Sequence, residues 1–188
     1  GEEAVLNAAA AQLINWIGLP SVVAAGMTDS KLPDQQAGHE KGTTVTLAAQ
    51  AGANVVFESA GMLASLLACS LETLVIDNDL LGAVARTIRG IEVDRDSLAI
   101  EVIDEVVKGA GHFLGHEQTL RVMQTDYIYP AVGDRLNPED WADAGSLNVR
   151  ARANRRVAEI LALPSPSHIT PTAEVLIRDR FPIHLELA

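Results

Sequence analysis

Two short apolar runs in this chain each end in a polar cluster. Val22–Ala25 leads into Gly26-Met27-Thr28-Asp29-Ser30-Lys31, and Ala53–Phe57 leads into Glu58-Ser59-Ala60-Gly61. If both runs are parallel strands, these clusters emerge together at the carboxyl edge, which in βα folds holds the active site. Asp29, Ser30, Lys31, Glu58 and Ser59 are therefore expected to converge on one rim. The alternative for Asp29 and Ser30 is that they only cap the turn that follows.

Other residues invite chemistry with less support. His112 and His116 have the i,i+4 spacing that places two metal ligands on one helical face, but Gly111 and Gly115 disfavour a helix there and no further Cys or His lies nearby. Structural or substrate-contacting histidines are the preferred reading. Cys69 sits in the apolar stretch Leu66-Leu67-Ala68-Cys69 and reads as a buried, inert thiol. Arg150, Arg152, Arg155 and Arg156 are flanked by Asp140, Asp143 and Glu159, which describes a solvated helix face with local ion pairs. The glycines from Gly109 to Gly115 match no phosphate-cradling loop, and Ser59 lies in no GxSxG elbow.

The elements that must position the rim follow from periodicity. Val5, Ala9, Leu13 and Ile17 recur every four residues and predict an amphipathic helix ending near Gly18. Asp34 predicts the N-cap of a helix running to about Ala51 and closed by Gly52. With the two apolar runs on either side, this makes a βαβ unit. A short helix to Cys69 is expected next. Leu74–Ile76 reads either as a third strand or as the start of more helix, and Asp79 to Arg89 is helical.

Beyond Gly90, Asp94 or Asp96 is expected to cap a helix with Leu98, Val102 and Val106 on one line and Ala99, Ile103 and Val107 on the next. A helix from His116 to about Thr125, a surface loop from Tyr127 to Arg135, a short helix capped by Asn137 and Pro138, and a longer one from about Leu147 to Leu163 complete the main body. Pro164, Pro166 and Pro171 mark a stiff linker before a last element, Thr172 to Arg180.

Composition narrows the class. A chain of 188 residues, 48% hydrophobic, can bury about 70% of its unfolded surface and build its own core. No apolar run approaches the roughly 18 residues a membrane helix requires. The acidic start, with Glu2 and Glu3, is unlike a secretory signal, and a lone Cys69 makes no internal disulfide, so cytoplasm is the expected compartment. A formal charge of -11 repels phosphate backbones and disfavours nucleic acid as a partner.

At the rim the string AGMTDSKLPDQQAGHEK (Ala25 to Lys41) resembles the trimethylamine:corrinoid methyltransferase family. AGANVVFESAGML (Ala51 to Leu63), LVIDNDLLG (Leu74 to Gly82), RGIEVDRDSLAIEVI (Arg89 to Ile103), GHFLGHEQTLR (Gly111 to Arg121) and the pattern Asp134, Arg135, Trp141, Gly145 resemble it in the same order. The resemblance implies an α/β fold, a (β/α)8 TIM-type barrel that moves a methyl group from a methylated amine to the cobalt of a partner corrinoid protein. A whole barrel needs about 250 residues, so this chain is expected to be the C-terminal part of one. Residues 1–163 would form the partial barrel, and residues 164–188 a Pro-rich linker and C-terminal helical tail.

Trimethylamine-specific members of the family carry pyrrolysine within the barrel, and its equivalent here falls near Gly26, Met27 or Thr28. An ordinary side chain there makes the chain resemble the pyrrolysine-free branch, some of which demethylates quaternary amines such as glycine betaine. The resemblance makes Asp29 and Glu58 the candidate catalytic residues. Met27, Ser30, Lys31, Ser59, Phe57, His112 and His116 are the candidate substrate contacts, and no metal site is expected. Of the aromatic residues, Phe57, Phe113, Tyr127, Tyr129 and Trp141 could offer faces to a cation.

The implied partners are a methylated amine and a corrinoid (cobalamin) protein, with no cofactor bound directly, no membrane and no nucleic acid. Uncovered strand edges and helix faces in a partial barrel also predict a homo-oligomer. Two other readings stand beside this one: a non-catalytic, helix-rich self-association fragment, and a metal-dependent hydrolase using His112, His116 and a carboxylate.

Overall fold

The computed structural model describes residues 1–164 and 168–183. The chain divides into two compact units, Gly1–Val157 and Ala158–Ala188. In the first, α1 (Glu2–Trp16) leads to β1 (Val22–Ala24), α2 (Gln35–Gln50) and β2 (Val55–Phe57), followed by the strands β3 (Met62–Leu63) and β4 (Ala68–Cys69). Then come α3 (Leu71–Arg89), α4 (Arg95–Leu98), α5 (Ile100–Lys108), α6 (Glu117–Thr125), α7 (Pro138–Asp143) and α8 (Val149–Leu161), the last continuing into the second unit. That unit also contains α9 (Pro171–Arg180), matching the expected final element, while Pro166 of the expected linker lies outside the described residues. The fold is mixed α/β and mostly helical. No helix of the described residues is long and apolar enough to cross a membrane.

The expected βαβ unit is present. β1 and β2 are parallel neighbours in the register Val22↔Val55, Val23↔Val56 and Ala24↔Phe57. The pairing starts from a side-chain lock: buried Ser21 donates its N–H to Asn54 Oδ1 at 2.8 Å, and Asn54 returns its N–H to Ser21 Oγ at 3.1 Å. Alternation along the strands separates two faces. Val23 turns to a core of Ala11, Ala25, Val45, Ala48, Ala49 and Val84, where small side chains let α1 and α2 lie close to the sheet. The other face is apolar yet open, with Val22, Val55 and Phe57 exposed by 55%, 50% and 45%. Parallel sheets occur almost only with both faces covered.

Several expectations are corrected. In α1 the buried positions are Ala4 and Ala11, while Val5, Leu13 and Ile17 of the expected stripe are exposed. The expected helix ending at Cys69 is instead the antiparallel pair β3–β4, in the register Met62↔Cys69 and Leu63↔Ala68. Its tip, Ala64-Ser65-Leu66, has φ of 50°, 54° and 71°. Ala64 and Ser65 donate their N–H groups to Ser30 O and Thr28 O, both at 2.8 Å, so long-range bonds use donors that a helix would have kept. Cys69 is exposed rather than buried.

Leu74–Ile76 belong to α3, which starts at Leu71 with Ser70 Oγ accepting from Thr73 N. The single helix expected after Asp94 is two pieces, α4 and α5, parted at Ala99 with φ 51°. Val106 is buried, but Ile103 and Val107 are exposed. The caps at Asp34 and Asn137 are as expected, accepting from Ala37 N and Asp140 N.

The loop from Tyr127 to Arg135 is not free. Asp79 on α3 accepts the N–H groups of Ala131, Val132 and Gly133 at 2.8, 2.8 and 2.9 Å, and Val132 is buried beneath them. Arg152, expected on a solvated face, donates to Val132 O at 2.6 Å and to Leu147 O, which ties α8 to the same loop.

Candidate functional site

The loop after β1 is held on one side by α2. Gly26 has φ 93° and takes the place of a side chain that could not fit: a Cβ there would lie 2.7 Å from Ser59 Cα and 2.8 Å from Val45 Cγ2. Its N–H donates to Thr44 Oγ1 at 3.0 Å, and its carbonyl accepts from Lys41 Nζ at 2.7 Å. One turn earlier on α2, Glu40 Oε2 accepts from Thr28 Oγ1 at 2.5 Å and from Asp29 N at 2.9 Å. The Thr28 hydroxyl, then the Gln36 amide and the Asp29 N–H, hold the Glu40 carboxyl below its ordinary range.

The two strand ends are brought together as expected. Ala25 N donates to Phe57 O at 3.3 Å, so the Gly26 and Glu58 turns leave from adjacent ribbons of the same edge. Glu58 is exposed and has φ 63°, a conformation costly for a residue with a Cβ. Asp29 is also exposed, and its Oδ1 accepts a hydrogen bond from Ser65 Oγ on the β3–β4 tip. Met27 and Asp29, together with Glu3, His39, Glu40 and Ser65, line a cavity of about 600 Å³ at this edge. Burial pushes the Glu3 carboxyl up, and the neighbouring Asp29 and Glu40 carboxylates add to the effect against the opposing Gly1 ammonium.

Other expected contacts have scaffold roles. Ser30 is buried, and its hydroxyl donates to Asp34 Oδ1 at 2.9 Å, with Leu32 O 3.0 Å away. Ala37 N–H and then this hydroxyl lower the Asp34 carboxyl. Lys31 Nζ turns back to Asp29 O at 2.8 Å. Ser59 backs directly onto Gly26. The two histidines belong to the α5–α6 region: His116 is the N-cap of α6, its Nδ1 accepting from Gln118 N at 3.1 Å and its Nε2 lying 4.0 Å from Glu105 Oε2. His112 is exposed in the turn before it. Among the described residues no three His, Cys, Asp or Glu side chains are grouped so as to hold a metal.

One feature of the rim escaped the sequence reading. Lys41 and Asp77 are 1% and 2% exposed, and Lys41 Nζ lies 2.9 Å from Asp77 Oδ2. The same oxygen accepts Gly61 N at 2.8 Å. Burial raises the Asp77 carboxyl, opposed by the Lys41 ammonium and the Gly61 N–H. A signal for the pair was available: Lys41 falls between Ala37 and Val45, and Asp77 between Thr73 and Val84, on the buried faces of their helices.

These features define an α/β chain with a βαβ unit and a polar mouth at the carboxyl edge of its parallel strands. The profile of the trimethylamine methyltransferase (MTTB) family matches residues 1–181, and the chain belongs to that family. It is 44% identical over 161 residues to trimethylamine methyltransferase MttB2 of Methanosarcina mazei, an alignment covering 85% of this chain and 32% of the relative. Trimethylamine methyltransferase MttB of Methanosarcina barkeri is 40% identical over 179 residues, covering 95% and 35%. Glycine betaine methyltransferase of Desulfitobacterium hafniense (strain Y51) is 33% identical over 177 residues, covering 94% and 36%. The chain thus spans about a third of the length of these relatives.

Proposed function

We propose that this chain forms the C-terminal part of a methyltransferase that takes a methyl group from a methylated, quaternary amine and delivers it to the corrinoid of a partner protein. The observation that carries this reading is the rim of two adjacent parallel strands in a chain matched by the family profile over residues 1–181. The open apolar face of Val22, Val55 and Phe57 supports a (β/α)8 barrel, since a barrel interior is filled by such layers. Residues 1–163 would supply the barrel portion, and residues 164–188 the linker and helical tail.

The corrinoid supplies a low-valent cobalt that accepts the methyl group. The oxygen groups at this mouth, carboxylates accepting from neighbouring hydroxyls, fit an amine cation rather than a resident corrinoid, which is consistent with its arrival on a partner. A quaternary nitrogen leaves as a neutral amine, so the protein owes it no proton. Its work is to bind the cation, exclude water and hold one methyl group in line, and alignment alone contributes several kcal/mol. Asp29 and Glu58 would face the cation, and Met27 and Phe57 would supply apolar contact. Ser30 and Lys31 shape the loop through the bonds described above and Ser59 through its backbone behind Gly26, while His112 and His116 remain candidate contacts. Side chains other than pyrrolysine at Gly26, Met27 and Thr28 favour a quaternary over a tertiary amine.

The test is cobalt methylation, followed by visible absorption, with a full-length protein containing this chain, its corrinoid protein and a panel of quaternary and tertiary amines. Transfer from a quaternary amine, lost in Asp29→Ala and Glu58→Ala, is the expected result. Absence of transfer from every amine would refute the reading.

A further inference from the structure

Lys41 and Asp77 stand apart from the candidate substrate residues, yet they join the two loops that carry them. Lys41 Nζ fixes the Gly26 carbonyl at 2.7 Å, immediately after β1. Asp77 Oδ2 fixes the Gly61 N–H at 2.8 Å, in the turn after β2. The 2.9 Å ion pair between them closes the chain of contacts from one loop, through α2 and α3, to the other. Gly26 and Gly61 both have positive φ, 93° and 79°, so the groups being held lie in backbone that an ordinary side chain would distort. Around the pair the surface is apolar, formed by Leu32, Ile76, Leu80 and Val132.

Buried ion pairs of this kind are poor sources of net stability, because desolvating two charges offsets most of their attraction, and apolar replacements of similar volume are often at least as stable. What the pair supplies here is direction. An ammonium and a carboxylate at hydrogen-bond distance from two backbone groups fix where those groups sit, which a methionine and a leucine would not do. We infer that Lys41 and Asp77 are positioning residues that hold the β1 and β2 loops in one relation at the mouth, so that Asp29 and Glu58 are presented together; the kinetic part of the test rests on the methyltransferase reading, and the exchange part does not.

The experiment compares Asp77→Asn and the double variant Lys41→Met with Asp77→Leu against wild type, all in the full-length protein. Three quantities are read: melting temperature, hydrogen exchange of the Gly26–Ser30 and Gly61–Ser65 amides, and kcat with KM for cobalt methylation. Asp77→Asn is expected to accelerate exchange in both loops at least about 10-fold and to lower kcat by about 100-fold, the loss that accompanies a displacement near 1 Å at a reacting centre. The double variant should regain the wild-type melting temperature while exchange stays fast and kcat stays low. Recovery of kcat and loop protection together with the melting temperature would overturn the inference, as would wild-type exchange in Asp77→Asn. Should Asp77→Asn not fold, the double variant decides alone. A wild-type protein that methylates no cobalt removes the methyltransferase reading, and loop exchange then settles the role of the pair.

Discussion

Replacing Gly26 by alanine tests whether the β1 loop is as tightly seated as its contacts indicate. An added Cβ would stand 2.7 Å from Ser59 Cα, 2.8 Å from Val45 Cγ2 and 3.0 Å from Ser59 O, and two of these three atoms are backbone that no rotamer change can move. Overpacking of this kind costs about 1–3 kcal/mol, and the positive φ of 93° adds about 1 kcal/mol for a residue with a Cβ. The expected loss is therefore about 2–4 kcal/mol, or roughly 4–16 °C in melting temperature for a chain of this size. Gly18→Ala supplies the control, since Gly18 also has positive φ, 79°, with nothing within 4 Å of the added carbon. It should lose only the backbone share, about 1 kcal/mol. Urea or thermal unfolding followed by circular dichroism measures both. Equal losses in the two variants would show that Ser59 does not back onto Gly26, and the proposed convergence of the two strand ends would fall with it.

Asp79→Ala should free the N–H groups of Ala131, Val132 and Gly133 together and cost about 2–3 kcal/mol; hydrogen exchange confined to this loop would report it, and unchanged protection there would contradict the clamp. Acidification should loosen the β1 loop through Glu40. Its folded pKa is depressed below 4.5, so its contribution is present above the unfolded value and disappears as pH falls through the folded one. Amide exchange at Thr28 and Asp29, corrected for its intrinsic pH dependence, should rise in wild type only as pH falls below the ordinary Glu value of 4.5, and Glu40→Gln should abolish that rise. Finally, light scattering on the isolated chain should show self-association through the open face of Val22, Val55 and Phe57. Calorimetry with glycine betaine should give no heat, and a well-behaved monomer that binds the ligand at micromolar concentration would overturn the partial-barrel proposal.

The parts of the fold legible in the sequence are those decided by neighbours along the chain. Asp34 and Asn137 cap their helices because a short acceptor side chain reaches a donor three residues on. The parallel pair was legible from two apolar runs flanking a capped helix. The stretch from Ala60 to Cys69 was misread because its shape is imposed from a distance: Thr28 and Ser30 capture the N–H groups of Ser65 and Ala64. Composition there, rich in Leu and Ala, favours a helix, and nothing local announces the reversal. Ala99 breaks α4 from α5 within a continuous apolar pattern for which periodicity gives no warning. In α1 the large residues drew attention although the alanines make the contact, since close approach to α2 admits only small side chains. Lys41 and Asp77 are hard to find by residue type because Lys and Asp are seldom fully buried unless paired, and only their place on the buried faces of α2 and α3 announces them.

The tip formed by Ala64, Ser65 and Leu66 is a tensioned latch. Three consecutive side-chain-bearing residues with φ of 50°, 54° and 71° each cost about 1–2 kcal/mol relative to right-handed backbone, and the bonds to Thr28, Asp29 and Ser30 oppose their release. Without those bonds that cost would stand unopposed, and right-handed or extended backbone would be favoured at the tip. Glycine at Ala64 or Leu66 would lower that backbone cost, and the β3–β4 tip would then keep its bonds to the β1 loop with less strain to offset.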